Sequence, residues 1–233
     1  KTAGHGIGLD METGIEQSCN VYFCSLGQKC GYYSIREMAL KLGLGRKSGL
    51  DLDAEVPGRL PAVRSVVRLG DIANASVGQG SIEATPLQMA VLAGAIGMGG
   101  RVCRPRLVIG QRPAGEDDFI EMPAQPLTNL QWSATTVDTI KRGMRRVIHA
   151  PMGTGRIARF DDETMMGGKT GTAEFSLGNG NKKKWGWMMI FVPYDKPRYA
   201  VAIIVENAEG GGRTVGPRMK QLLAGIFGKA DGT

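Results

Sequence analysis

The stretch Gly167-Gly168-Lys169-Thr170-Gly171-Thr172-Ala173 holds the residue types best suited to chemistry. It falls on a predicted strand, not before a helix. That placement argues against a P-loop, whose lysine sits at a strand-to-helix turn after a longer glycine-bearing loop. On a strand alternate side chains share a face, so Lys169 and Gly171 point the same way. Gly171 lets a ligand approach the backbone closely. The Thr172 amide is then open to donate to an oxyanion, and the Thr170 and Thr172 hydroxyls can bond a carboxylate that Lys169 attracts. The same residues also suit an ordinary exposed edge or turn.

A second cluster, Ser18-Cys19-Asn20, sits at a predicted helix boundary. It offers a hydroxyl and a carboxamide two residues apart, but Ser and Asn are equally favoured there as caps. Its value depends on meeting the Lys-Thr-Gly stretch downstream. His5 lies shortly before Cys19, and both ligand types suit zinc. Two donors do not make a site, and a loop histidine with a buried thiol is the preferred reading.

The elements that must position these residues come from 233 residues, 42% apolar and 22% charged, enough for one real core and too apolar for a disordered chain. The 35 glycines have no three-residue period, which excludes collagen. No apolar run reaches the roughly 18 residues of a membrane span. The chain opens on Lys1 without an initiator Met or signal sequence, so it reads as a segment of a longer protein whose export signal or anchor lies upstream. Net charge is +7, with basic residues at Arg59, Arg64 and Arg68, at Arg142, Arg145 and Arg146, and at Lys182–Lys184. No helix-turn-helix, RNP or zinc-finger pattern accompanies them, so solvated faces are expected rather than nucleic-acid binding. Cys19, Cys24, Cys30 and Cys103 show no C-x-x-C spacing and read as free thiols.

Short helix is expected over 10–17 and helix over 20–30, closed by Gly31. Ser34 with Glu37 forms a capping-box pattern opening another helix that stops at Gly43. Residues 44–80 read as irregular, with 73–77 as strand or loop. Thr85-Pro86 starts a helix to about Met98, apolar nearly all round and so buried. Residues 101–109 read as extended and 110–129 as a polar excursion. Ser133 caps a helix to about His149 with Val137, Ile140, Met144, Val147 and Ile148 on one face. Strands follow at 164–175, 184–192 and 198–205, an antiparallel meander with Lys182–Lys184 at a hairpin tip. A last helix over 215–227 packs on the sheet through Met219, Leu222, Leu223, Ile226 and Phe227. The fold class is mixed α/β (α+β), an antiparallel sheet flanked by helices with a helical subdomain: a mainly helical part over about 10–150, then strands and helix over about 156–233.

Ser18-x-Asn20 with Lys169-Thr170-Gly171 resembles the penicillin-binding fold of serine D,D-transpeptidases, whose signature is Ser-x-x-Lys, Ser-x-Asn and Lys-Thr-Gly. The resemblance runs through nearly the whole chain: Glu16–Phe23, Gly45 with Ser48-Gly49-Leu50-Asp51-Leu52, Gly70-Asp71, Asn74, Val77-Gly78-Gln79-Gly80, Thr85–Ala90, Gly168–Ala173, Trp185–Pro193 and Tyr199–Glu206. It is strongest to the monofunctional class B group of elongation-type penicillin-binding proteins. The departure is that no Ser here has Lys three residues later, so the nucleophile motif is expected upstream and the isolated segment is expected to be inactive.

The resemblance implies a peptidoglycan transpeptidase that cross-links stem peptides through a serine acyl-enzyme and is acylated by β-lactams. Ser18, Asn20 and Lys169 would be catalytic. Thr170, Gly171 and Thr172 would bind substrate, and no metal or organic cofactor would be needed. The implied partners are D-Ala-D-Ala stem peptides, β-lactams, a glycosyltransferase and cell-wall elongation proteins. The implied location is the periplasmic side of the inner membrane, by an N-terminal helix outside this chain. Two alternatives share the features: a β-lactam sensor or β-lactamase relative, disfavoured by the absence of a deacylating Glu-x-x-Leu-Asn-like loop, and a non-catalytic binding or scaffold module. Without the upstream helix, apolar surface is expected to be exposed on the Thr85–Met98 helix and the sheet.

Overall fold

The computed structural model describes residues 5–50, 52–63, 67–115, 117–176 and 182–228. Lys1–Gly4, Asp51 and Arg64, named above, lie outside them. Helix α1 (Met11–Glu16) begins where Asp10 accepts the Thr13 amide at 2.7 Å, a side-chain cap. Helix α2 (Asn20–Lys41) is two helical segments joined across Gly31, whose φ of 76° breaks the helical path. The expected break at Gly31 is present. The expected Ser34 cap is not, because helix resumes directly after Gly31 and leaves Ser34 inside its first turns.

Residues 73–77 do not form strand or plain loop. Helix α3 (Leu69–Ser76) covers most of them. Its start carries no Ser, Thr, Asn or Asp cap; instead the Asp71 carboxylate accepts the Arg68 amide at 3.3 Å. Packing on α2 supplies what local sequence lacks. A Cβ on Gly27 would lie 1.7 Å from the Ser76 hydroxyl, so only glycine lets α3 approach there. Helix α4 (Pro86–Gly97) has the expected Thr85 cap and Pro at its first position, with Gln88 completing a capping box. The buried Gln88 amide nitrogen also reaches the carbonyls of Arg46 and Pro57 at 2.8 Å, tying the irregular 44–61 connection to the helix.

Only β1 (Arg101–Cys103) of the expected 101–109 strand joins a ladder. The excursion that follows holds a ribbon of β2 (Gly110–Gln111) and β3 (Ile120–Glu121), then β4 (Pro126–Asn129), which pairs with β1. Helix α5 (Ala134–His149) is capped by Ser133 and buries Met144, Val147 and Ile148 as its periodicity predicts. The main sheet is antiparallel, in the order β5 (Gly167–Ser176), β6 (Lys182–Val192), β7 (Tyr199–Glu206), so β5 is an edge. Lys182–Lys184 lie inside β6 rather than at a tip, and Glu174 opposite pairs with Lys184 at 3.1 Å.

A single π-type turn (Gly211–Val215) leads into α6 (Gly216–Ile226). Met219 and Leu223 are fully buried, whereas Leu222 and Ile226 lie on the outer side, a narrower stripe than expected. One core joins α5, β6 and α6 through Met144, Val147, Ile148, Met188, Ile190, Met219 and Leu223. Helix α4 is covered by β6, β7 and β1 and does not present the exposed apolar face expected of it. Exposed apolar side chains instead occur at Val21 on α2, at Leu69, and around the β2–β3 ribbon at Ile109, Phe119 and Ile120.

Candidate active site

Ser18 sits in the tight turn between α1 and α2, held by the Ser18 and Cys19 amides donating to the Ile15 and Gly14 carbonyls at 3.2 and 3.0 Å. Its φ is 53°, a left-handed conformation uncommon for a residue with a Cβ and concentrated at functional positions. The turn is anchored from behind. Glu16 is buried, and the guanidinium of Arg146 on α5 donates to its carboxylate at 2.6 Å. One turn earlier Arg142 donates to Glu12 at 2.8 Å. Two arginines read as solvated charge are therefore the clamp that fixes the serine.

Lys169, on the edge strand β5, donates from Nζ to Ser18 Oγ at 2.7 Å and to the Thr170 carbonyl at 2.8 Å. This bond joins residues 151 apart in sequence. The Ser18 oxygen is thus used by Lys169 and not as a helix cap; the cap position is Cys19, which makes no side-chain cap bond. Burial pushes the Lys169 ammonium down from 10.5 to about 8. Asn20 opens α2 and is exposed on the same cleft.

The orientation of β5 follows from two bonds. The Thr170 carbonyl accepts Lys169, and the Thr172 carbonyl accepts the Gln79 amide at 2.8 Å, both on the side away from β6. In an antiparallel ladder the N–H and C=O of one residue point to the same side. The Thr172 N–H therefore faces the open edge. Thr172 Oγ1 accepts the Gly211 amide at 3.2 Å, which leaves its own proton to donate. Thr170 Oγ1 and Thr154 Oγ1 lie 2.6 Å apart, so one donates to the other and one hydroxyl proton remains for a ligand. The close approach falls on the neighbouring turn: a Cβ on Gly211 would lie 2.4 Å from the Gly171 oxygen, so only glycine lets the turn after β7 lie on β5, whereas a Cβ on Gly171 would meet only the Trp187 Cβ, at 3.3 Å.

Ser18, Asn20, Lys169, Thr170, Gly171 and Thr172 all line one cleft of about 730 Å³. Its charged lining is Lys169 and Arg213 against Glu209, a balance that favours an anion. An amide N–H, two hydroxyl protons and a cation converge on it, which suits stabilising an oxyanion beside a carboxylate. Sequence reading did not single out Thr154, Gln79 or the 209–213 turn as site residues. The paired glycines around Gln79 and the glycine run 210–212 were the available signal. His5 and Cys19 border a neighbouring groove of about 770 Å³, and among the described residues no three metal-ligating side chains cluster.

A sequence model of the penicillin binding protein transpeptidase domain matches residues 2–224. The chain belongs to this family. It is 30% identical over 254 residues to the peptidoglycan D,D-transpeptidase MrdA of Salmonella typhimurium, covering 97% of this chain and 39% of that protein. Among solved structures it is similar to the Helicobacter pylori penicillin-binding protein 2 in complex with MreC (TM-score 0.75, 26% identity, 94% of this chain and 40% of that one). It is also similar to penicillin-binding protein 3 of Mycobacterium tuberculosis complexed with aztreonam (TM-score 0.78, 28% identity, 96% and 52%). The family's mixed architecture of helices and antiparallel sheet is the one observed here.

Proposed function

We propose that this chain is the part of a peptidoglycan D,D-transpeptidase that carries its Ser-x-Asn and Lys-Thr-Gly motifs, working with a nucleophilic serine and its lysine base supplied upstream. The observation that carries the reading is the 2.7 Å bond from Lys169 to Ser18, which unites the two motifs at the mouth of one anion-favouring cleft. The mainly helical part (about 10–150) contributes Ser18 and Asn20, and the strand part (about 156–233) contributes Lys169, Thr170, Gly171 and Thr172.

In this mechanism the upstream serine attacks the D-Ala-D-Ala carbonyl and the upstream lysine takes its proton. The Thr172 N–H receives the developing oxyanion; one such donor is typically worth about 3 to 4 kcal/mol of transition-state stabilisation. The Thr170 and Thr172 hydroxyls bind the terminal carboxylate, drawn in by Lys169. Ser18, whose oxygen accepts from Lys169, passes its proton to the departing D-Ala nitrogen, and Lys169 can restore it because burial has brought its pKa near neutrality. Asn20 holds the donor's amide. The acceptor amine of a second stem peptide then displaces the acyl-serine. A β-lactam acylates the same serine. No step requires a metal or organic cofactor.

The chain spans about 39% of the MrdA relative, so anchoring and partners are proposed for the parent polypeptide. We place it on the periplasmic face of the inner membrane, where its proposed peptidoglycan substrate lies, held there by an upstream helix; among the described residues no helix is long and apolar enough to cross a membrane. Cell-wall elongation proteins and a glycosyltransferase are its proposed partners, in line with the MreC-bound relative. Intact mass after incubation with a β-lactam tests the reading, comparing this chain with one extended upstream through the Ser-x-x-Lys. The expected result is an adduct on the extended chain alone. An adduct on the short chain would overturn the upstream nucleophile. No adduct on either folded chain would leave a non-catalytic binding module instead.

A further inference from the structure

The cleft holds one polar contact that the proposed chemistry does not use. Gln79 reaches across 93 residues of sequence to donate its side-chain amide to the Thr172 carbonyl at 2.8 Å. The loop that presents it is closely specified. Val77, Gly78 and Gln79 amides donate back to the end of α3, at Asn74, Ala75 and Asn74, over 3.2, 3.2 and 2.9 Å. Gly78 and Gly80, on either side of Gln79, have φ of +70° and +81°, a conformation that residues with a Cβ adopt at a cost. Two left-handed glycines and a closed turn hold this side chain at the open edge of β5.

The contact occupies a position a ligand needs. An extended backbone adding to an open strand edge pairs with both the N–H and the C=O of alternate residues. Thr172 offers both groups on that edge, and Gln79 already holds the carbonyl. A carboxamide has the donor chemistry of a peptide N–H, so the side chain stands where the donor's own backbone amide would be. Gln79 also has somewhere to go. It forms the wall between the cleft and a side cavity of about 230 Å³ lined by Asp71, Asn74 and Ser81, whose polar groups can receive a displaced amide.

We propose that Gln79 is a specificity-determining gate of the acyl-donor subsite: it holds the Thr172 carbonyl at rest and is displaced into the side cavity by a donor that presents an N–H there. Donors with such an N–H exchange one hydrogen bond for another and must move Gln79. Donors without it leave Gln79 in place. The proposal rests on the transpeptidase reading and refines it.

The test uses the parent polypeptide with its upstream residues, as wild type, Gln79→Ala and Gln79→Met. The last variant keeps roughly the size, adds no charge and cannot donate. Second-order acylation rates are measured with an acylamido-penicillin, which carries the N–H, and with a hydroxyethyl carbapenem, which does not. Both variants are expected to react roughly threefold to tenfold faster than wild type with the acylamido-penicillin, the worth of one exchanged neutral hydrogen bond. Rates with the carbapenem are expected to stay within about twofold. An equal fall with both reagents would overturn the gate and make Gln79 a support for β5, and no change with either would remove any role. If wild type itself is not acylated by either, the transpeptidase reading fails first, an outcome distinct from failure of the gate. Should Gln79→Ala lower the melting temperature, Gln79→Met alone decides.

Discussion

Lys169 is where the local physics is most exposed to measurement. Its ammonium is taken from water by the packing around Ser18, and burial moves its pKa from 10.5 to about 8. Between those two values the unfolded lysine holds a proton that the folded lysine has released. Stability therefore rises with pH in that window, because the unfolded state binds more protons there. Below about pH 8 the folded protein carries a poorly solvated charge, and the cost is relieved as the pH climbs towards 10.5. The expected outcome is that thermal melts of this chain and of Lys169→Met, which has no charge to lose, diverge across that range, the native chain gaining. Parallel curves would mean that the Lys169 side chain is as well solvated as in a peptide. Ser18 and Thr172 illustrate how backbone sets chemistry: a left-handed φ turns the Ser18 hydroxyl to the lysine, and strand polarity turns the Thr172 N–H to the cleft.

Helix α1 has only six residues, too few to be stable alone, and its position depends on α5. Glu12 and Glu16, one turn apart, meet Arg142 and Arg146, one turn apart on α5. The two pairs are unequal. Glu16 is 3% exposed, so Glu16→Ala takes from Arg146 its 2.6 Å partner and is expected to cost about 2 to 3 kcal/mol, at or below the range for fully buried pairs because Arg146 keeps Glu12 at 3.8 Å and some access to water. Glu12→Ala, which removes the solvent-screened Arg142 contact and the longer 3.8 Å one to Arg146, is expected to cost less. Denaturant midpoints of the two variants check the order, and a reversed order would contradict the clamp. Elements whose local signals and burial agree were legible in the sequence: the capped helices starting at Thr85 and Ser133, and the three-strand meander. The ones missed depend on partners remote in sequence. Helix α3 has no cap residue and gains its stability against Gly27. Ser34 lost its cap role because helix resumed directly after Gly31. Arginines that pair across helices look solvated in a linear reading.

At the scale of the molecule, the site exists because a helical part and an edge strand meet over a cleft, with neither holding the full set of groups. Ser18 and Lys169 were legible as candidates because each lies in a short motif; their 2.7 Å contact was not, since it depends on α1, α5 and β5 folding together. Gln79 and Thr154 were missed for the same reason, as single polar residues in loops that acquire meaning only beside β5. Among the described residues no strand pairs with the free edge of β5, which leaves the Thr172 N–H facing the cleft and its C=O held by Gln79. Groups that act as one unit lose activity non-additively when removed together. The most direct measurement is therefore β-lactam acylation of the parent polypeptide as wild type, Ser18→Ala, Lys169→Met and the double variant. With Lys169 acting through Ser18, each single change lowers the rate steeply and the double variant is no slower than the worse single. Losses that simply multiply would contradict the joint site and separate the two motifs again.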